Sequence, residues 1–247
     1  MFTDALRGLL GKSIHLRRAP RGGAESPLGR RFAGGQFLPR AMWEAEKQRA
    51  ADALPGLLNN FGDKLQFFSE VYQQNAALLS EGTTKVKLMP LGAIEWRIKA
   101  AIREAYTEAF RYGKRAAGNL ESVTASEALQ LKKLRADEFR YLRKFLGDMR
   151  DGKGVMSYER RMDMYRAAAR EAYWLGWVLG NTRPDRVVWW VIDPEAESCR
   201  DCLRFARGSP WPIQRFLDEV VKKGFLPRGG RLECKGYNCK CVLREGV

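Results

Sequence analysis

"LECKGYNCKCVLREGV", residues 232–247, holds three cysteines, Cys234, Cys239 and Cys241, and the only other two, Cys199 and Cys202, stand upstream in "ESCRDCLRF", residues 197–205. A chain of 247 residues thus keeps all five cysteines in its last fifty positions. The pattern is C-x2-C, then 31 residues, then C-x4-C-x-C. Two short-spaced groups can close around one tetrahedral ion at little loop-closure cost, and zinc takes thiolate ligands at about 2.3 Å. The expectation is a closed structural zinc site using four of the five. Cys199 and Cys202 would be joined by two of the terminal three, with Cys234 and Cys239 the expected pair and Cys241 the more dispensable. Iron in a four-thiolate site fits the same spacing.

Competing chemistries fit less well. Two disulfides would leave one thiol over, and the start "MFTDALRGLLGK" lacks the basic stretch and uninterrupted apolar run of a secretory leader. The expected setting is therefore a reducing cytosol, where clustered cysteines hold metal more often than they pair. Catalytic zinc keeps an open position beside His or carboxylate ligands, but the only histidine is His15, far upstream. A zinc deaminase needs His-x-Glu or Cys-x-Glu ahead of Pro-Cys-x-x-Cys, and neither precedes Cys199. The segment "GLLGKS" at 8–13 lacks the first glycine of a phosphate loop, with Leu6 in its place. No enzymatic activity is expected.

Outward from the cysteines, residues 183–247 read as a small α+β module. "RVVWWVI" is a strand between Pro184 and Pro194, "RLE" and "KCVLRE" are short strand candidates, and "IQRFLDEVVKKG" is one helix. With so much charge in about 65 residues, a metal staple is expected to supply what a thin core does not.

Residues 41–182 read as helical. "AMWEAEKQRAADAL" is followed, after a break at Pro55, by "LLNNFGDKLQFFSEVYQQNAALLSEG", with Gly82 as its stop. Ile94, Ile98, Ala101, Ala105, Ala109 and Tyr112 share one stripe of the next helix. Thr124 and Glu127 are spaced as a capping box ahead of Leu131, Leu134, Leu142, Phe145 and Met149. A last helix buries Tyr158, Met162, Tyr165, Ala169, Ala172 and Leu179 and stops at Gly180–Asn181. Such stripes are read as packing, with Trp43, Phe67, Phe68 and Trp96 as candidate interface anchors. The longest apolar run, "YWLGWVLG", is too short to span a membrane.

Residues 1–40, rich in Gly, Arg and Pro, read as a flexible basic arm. The chain carries a formal charge of +15, with ten Lys/Arg against four Asp/Glu in residues 1–50. Such a balance points to an acidic partner. Arg17, Arg18, Arg21, Arg30 and Arg31 are the candidate contacts to nucleic acid, sequence-independent and salt-sensitive. The overall expectation is a mainly α protein: arm, helical domain, and cysteine-rich metal module.

Gly180, Asn181, Trp189, Trp190, Asp193, Cys199, Cys202, Leu226, Pro227, Gly229, Asn238, Cys239, Lys240, Cys241 and Leu243 together carry a resemblance. They trace a helix ending in Gly-Asn, a Trp-bearing strand, Asp before C-x-x-C, then Leu-Pro and Gly before Asn-Cys-basic-Cys-x-Leu. This resembles the Mu F-like head morphogenesis family, minor head proteins of tailed bacteriophages, over residues 157–247. Many relatives carry a histidine just before the terminal Cys-Arg-Cys; here Cys234 stands at a similar but not identical spacing, and Lys240 replaces the arginine. The resemblance implies a minor capsid protein of the virion, assembled in the host cytoplasm. It would associate with portal or major capsid protein and lie near genomic DNA. The reading set against it is a zinc-containing nucleic-acid-binding regulator.

Overall fold

The computed structural model describes residues 30–31, 37–38, 40–82, 89–151, 158–181, 185–193, 198–234, 236 and 239–246. Of the expected arm, only strands β1 (Arg30–Arg31) and β2 (Phe37–Leu38) are described, and they pair antiparallel with Arg30 opposite Leu38. Residues 1–29, including Arg17, Arg18 and Arg21, lie outside the described residues.

Four long helices follow: α1 (Arg40–Ser80), α2 (Leu91–Ala116), α3 (Ala125–Arg150) and α4 (Tyr158–Gly180). The expected break at Pro55 is absent, since α1 runs through it for 41 residues. Proline there removes one backbone hydrogen bond and crowds the preceding turn at about 3 kcal/mol. Leu58, Phe61 and Leu65, each at most 2% exposed, anchor the helix just beyond it, and Ala50 is buried just before. Burial on both sides outweighs the local penalty. The stop is as expected: Gly82 adopts φ +71°, and its N–H bonds to Leu79 O at 3.3 Å.

Helix α2 is the centre of the bundle, packed along α1 on one side and α4 on the other, with α3 attached more lightly. Its buried side is wider than the expected stripe, because Ile102, Tyr106 and Phe110 are fully buried beside Ile94, Ile98 and Ala109. A helix covered from two directions has to be apolar over more than one narrow face. Between α2 and α4 the backbones come very close. A Cβ added at Gly113 would sit 1.9 Å from Tyr173 O, and one at Gly176 would sit 2.1 Å from Phe110 O.

The capping box of α3 is present, with Thr124 N–H donating to Glu127 Oε2 at 2.7 Å and Glu127 N–H to Thr124 Oγ1 at 3.2 Å. Lys114 adds to it from the end of α2, its Nζ 2.8 Å from Glu127 Oε2 with the lysine side chain 2% exposed. Lys114 Nζ also donates to Ser122 O at 3.2 Å. The buried ammonium thus has two acceptors, as a charge removed from water requires.

The last part is a three-stranded antiparallel sheet in the order β4 (Trp211–Pro212), β3 (Val187–Val191), β5 (Val242–Gly246). Helix α5 (Arg200–Arg207) and helix α6 (Ile213–Phe216), which continues as one π turn over Leu217–Val221, lie with it. In β3, Val188 and Trp190 point inward and Trp189 is exposed. Trp190 sits opposite Leu243, and Arg186 pairs with Glu245 across the two strands. Two expectations need correcting. "RLE" forms turns, because Glu233 donates its N–H to Asp201 Oδ2 at 2.9 Å instead of to a strand. The core is not thin: Trp190, Phe205, Trp211, Phe216 and Phe225 stack with centroids 4.9 to 6.5 Å apart. Few aromatic side chains, each burying 150–250 Å², replace the many aliphatic ones whose absence suggested a weak core.

Bundle and module share one hydrophobic cluster. At their junction, Glu171 of α4 accepts the Gly230 N–H at 3.2 Å. Burial pushes the Glu171 carboxyl up to about 8, with the Gly230 N–H and Arg231 opposing and Glu138 and Asp137 of α3 adding to the rise. Glu138, itself raised to about 7 chiefly by burial, faces Tyr106. A folded-state pKa raised above the unfolded value means that the unfolded chain releases the proton first. Stability is then full at low pH and falls between about 4.5 and 8. Glu171→Gln keeps an acceptor for Gly230 and removes that loss. Its unfolding free energy is expected to exceed the parent's by on the order of 2 kcal/mol at pH 8.5 and by clearly less at pH 6, read from urea unfolding. A constant difference between the two pH values contradicts this account.

Candidate metal centre

Cys199 is the residue that precedes the first turn of α5, and Cys202 lies within that turn, so the helix holds the pair on one side. Cys239 and Cys241 lead into β5, whose pairing with β3 carries Cys241 beside Trp190. Cys234 closes the turn after Leu232, which is itself 1% exposed. The two segments are clasped together next to the sulfurs. Arg200 N–H donates to Glu233 Oε2 at 2.9 Å, while Glu233 N–H donates to Asp201 Oδ2 at 2.9 Å.

The five sulfurs fall into two groups of three that share one member. Cys199, Cys202 and Cys234 form one, Cys202, Cys239 and Cys241 the other, and within each the ligand atoms lie within 4.8 Å of one another. Cys202 Sγ and Cys239 Sγ are 3.9 Å apart. Two thiolates on one tetrahedral ion at about 2.3 Å are separated by about 3.8 Å, so this pair has the spacing of neighbouring ligands. The structure brings together every cysteine singled out in the sequence, and Cys241, at 3% exposed, is as deeply placed as Cys239.

The surroundings favour the anion at two of the five thiols and oppose it at three. Burial raises the Cys199 thiol, but the backbone N–H groups of Cys202 and Cys234 and the neighbouring thiols bring it below its ordinary value. Cys239 is lowered by the thiols of Cys202 and Cys241 and by the N–H groups of Arg228 and Cys241. Cys202 is raised by the thiols of Cys239 and Cys241 and by burial, and Cys234, chiefly through burial, is raised as well. Five thiols this crowded cannot all ionise unless a cation joins them. The Cys202 thiol draws Cys241 down, but the Cys239 thiol and burial outweigh it and hold Cys241 up at about 11, with the buried Trp190 indole opposing them weakly. The donor set and its N–H shell fit a metal ion, and the cluster could hold one.

Two residues that the sequence reading passed over, Arg228 and Gly236, complete the site together with Asp193. Arg228, at φ +64°, turns the chain in the left-handed region and offers its N–H to Cys239. Gly236, at φ +75°, must lack a side chain, since a Cβ would stand 2.1 Å from Arg228 O. Asp193 lines the rim with Lys240 3.8 Å away. The only available signal was indirect: a glycine between Cys234 and Cys239, where a tight loop must reverse.

The other candidate residues are distributed differently. Arg30 and Arg31 lie in β1. Phe67 and Trp96 are 59% and 63% exposed, while Phe68 is half-buried. The side chain of Trp43 lies outside the described residues. Among the described residues no helix is long and apolar enough to cross a membrane. Compared with known protein families, characterised proteins and solved structures, the chain matches none.

Proposed function

We propose that the chain is a structural protein of a tailed-phage head, without turnover of its own, whose C-terminal module is closed by one zinc ion. The observation that carries the metal reading is the convergence of all five cysteines into one mostly buried cluster wrapped by backbone N–H donors. In such a site zinc supplies a cross-link between α5 and the segment entering β5 and leaves the neighbouring aromatic core in a single arrangement.

Support for the head reading comes from where the residues of the resemblance lie. Trp190, Leu226 and Leu243 are buried in the module core, and Pro227 and Gly229 shape the turn against Glu171. Gly180 allows α4 to end against Lys114 and Ala117. These positions hold an architecture together, as a protein acting through contacts requires. Exposed Phe67 and Trp96 offer anchors on the bundle for portal or capsid protein.

Pull-down of portal protein from assembling heads by the tagged chain, weakened at least tenfold by the Phe67→Ser, Trp96→Ser pair, is the expected result. Recovery of the chain only from host cytosol, with none in procapsids or virions by mass spectrometry, would refute the head reading and favour the nucleic-acid-binding regulator. The positive charge of the bundle keeps that second reading in play.

A further inference from the structure

We propose that the outer face of α2 and α3, carrying Arg103, Lys132, Lys133, Arg135, Arg143 and Lys144, is a binding surface for the phosphate backbone of a nucleic-acid duplex. It stands apart from the head reading, since it rests on the charges of the folded bundle alone.

The two helices run antiparallel, as three contacts along the seam show. Lys114 meets Glu127 at 2.8 Å, Thr107 accepts from Arg135 at 3.4 Å, and Arg103 lies over the Phe139 ring at 6.0 Å. Arg103 and Arg135 are therefore brought to the same seam from opposite helices. Among the described residues, none of the six cations has a carboxylate within ion-pair distance. Nearby cations are arranged otherwise: Lys64 pairs with Glu104 at 3.1 Å, Lys99 with Glu95, and Arg111 with Glu108.

Three of the four acids of α3 do little to cancel this field, and the fourth, Asp148, is half-buried near the C-terminal end of the helix and already engaged. Glu127 is tied to Lys114, Asp137 to Arg140 at 2.8 Å, and Glu138 is half-buried with its carboxyl held up to about 7. Burial and the repulsion of the neighbouring Arg103 together lower Arg135, in keeping with the place both guanidinium groups take at this seam. A phosphate removes that repulsion and accepts from both forks. From Lys132 to Lys144 the cations extend about 18 Å along the helix, which is about five base-pair rises of 3.4 Å.

A lipid surface of the same charge is the less suitable partner. Interfacial helices engage it with an apolar stripe that inserts between headgroups. The apolar stripe of α3, Leu131, Leu142, Phe145 and Leu146, is already buried against the bundle. What remains exposed among the cations is Leu129 and Tyr141, the latter with Arg140 5.7 Å from its ring, two side chains twelve positions apart that form no stripe.

The test uses the full chain and a short labelled DNA duplex of mixed sequence, with binding followed by anisotropy across a salt series. Lys132→Gln, Lys133→Gln, Arg143→Gln and Lys144→Gln together are expected to lower the slope of log K against log salt by about 3.6, at about 0.9 per lost phosphate contact, and to weaken binding at least about tenfold at 0.1 M salt. Arg215→Gln and Lys222→Gln, whose cations are already paired with Glu219 and Asp218, are expected to leave the slope unchanged. Should the fourfold variant fail to fold by circular dichroism, the two adjacent pairs carry the same test, each lowering the slope by about 1.8. The proposal is overturned by a parental slope in the variant, with all salt dependence removed instead by deleting residues 1–40. Tighter binding of the parent to phosphatidylglycerol vesicles than to the duplex overturns it as well.

Discussion

Cys202→Ser is expected to abolish stoichiometric metal and to lower the melting temperature of the chain more than serine at any other cysteine. Cys202 alone belongs to both groups of three sulfurs. Its loss leaves Cys199 with Cys234 on one side and Cys239 with Cys241 on the other, with no sulfur linking them. Serine at either Cys234 or Cys241, by contrast, keeps Cys202 and the Cys202–Cys239 pair 3.9 Å apart among the four that remain. Apparent zinc affinities of small thiolate sites reach about 10–16 kcal/mol, which bounds the effect from above. The aromatic core around Trp190 and Phe205 survives in part, so the expected product is a module with its 228–241 segment released and its sheet weakened. Limited proteolysis should cut within that segment in Cys202→Ser and spare it in the parent. Equal damage from Cys202→Ser and Cys241→Ser would show that the two groups do not share a pivot.

Gly113→Leu is the second large effect, and it acts on the bundle. The added side chain meets backbone, with Tyr173 O and Trp177 N both under 3 Å from the first new atom. Neither can swing aside as a side-chain tip would, so α2 and α4 must separate and open the core around Phe110 and Val178. Overpacking a close-packed site costs about 1–3 kcal/mol even where it can relax, and here at least about 3 kcal/mol is expected because the obstruction is main chain. Gly147→Ala is the control: a Cβ there meets nothing within 4 Å, and replacing a helix-interior glycine gains about 0.5–1 kcal/mol. Denaturant midpoints moving in opposite directions for these two substitutions check the account. A fully stable Gly113→Leu would contradict the close crossing.

What the sequence made legible follows from how local each signal is. The Thr124–Glu127 capping box and the Gly82 stop depend on a few neighbouring residues, and both form as expected. The gathering of the cysteines was readable because spacing alone restricts where thiols can go. Pro55 misled because its penalty is local while the burial of Leu58 and Phe61 that overrides it comes from α2. Helix α5 went unread because its eight residues, Arg200–Arg207, span about two turns, too short a window for the spacing of Cys202, Phe205 and Ala206 to stand out. Gly113 and Gly176 look like weak points in their helices until the partner backbone is placed against them. The sharing of Cys202 between two sulfur groups could not be read from spacing, since it depends on how α5 and β5 meet.

The central claim is a closed metal site built from sulfur alone, and elemental analysis combined with X-ray absorption at the zinc edge, on the full chain purified without added metal, tests it most directly. About one zinc per chain with a first shell of sulfur only, at about 2.3 Å, is the predicted result. A chain without metal whose melting temperature is unmoved by a chelator, or a shell containing nitrogen or oxygen, would contradict it.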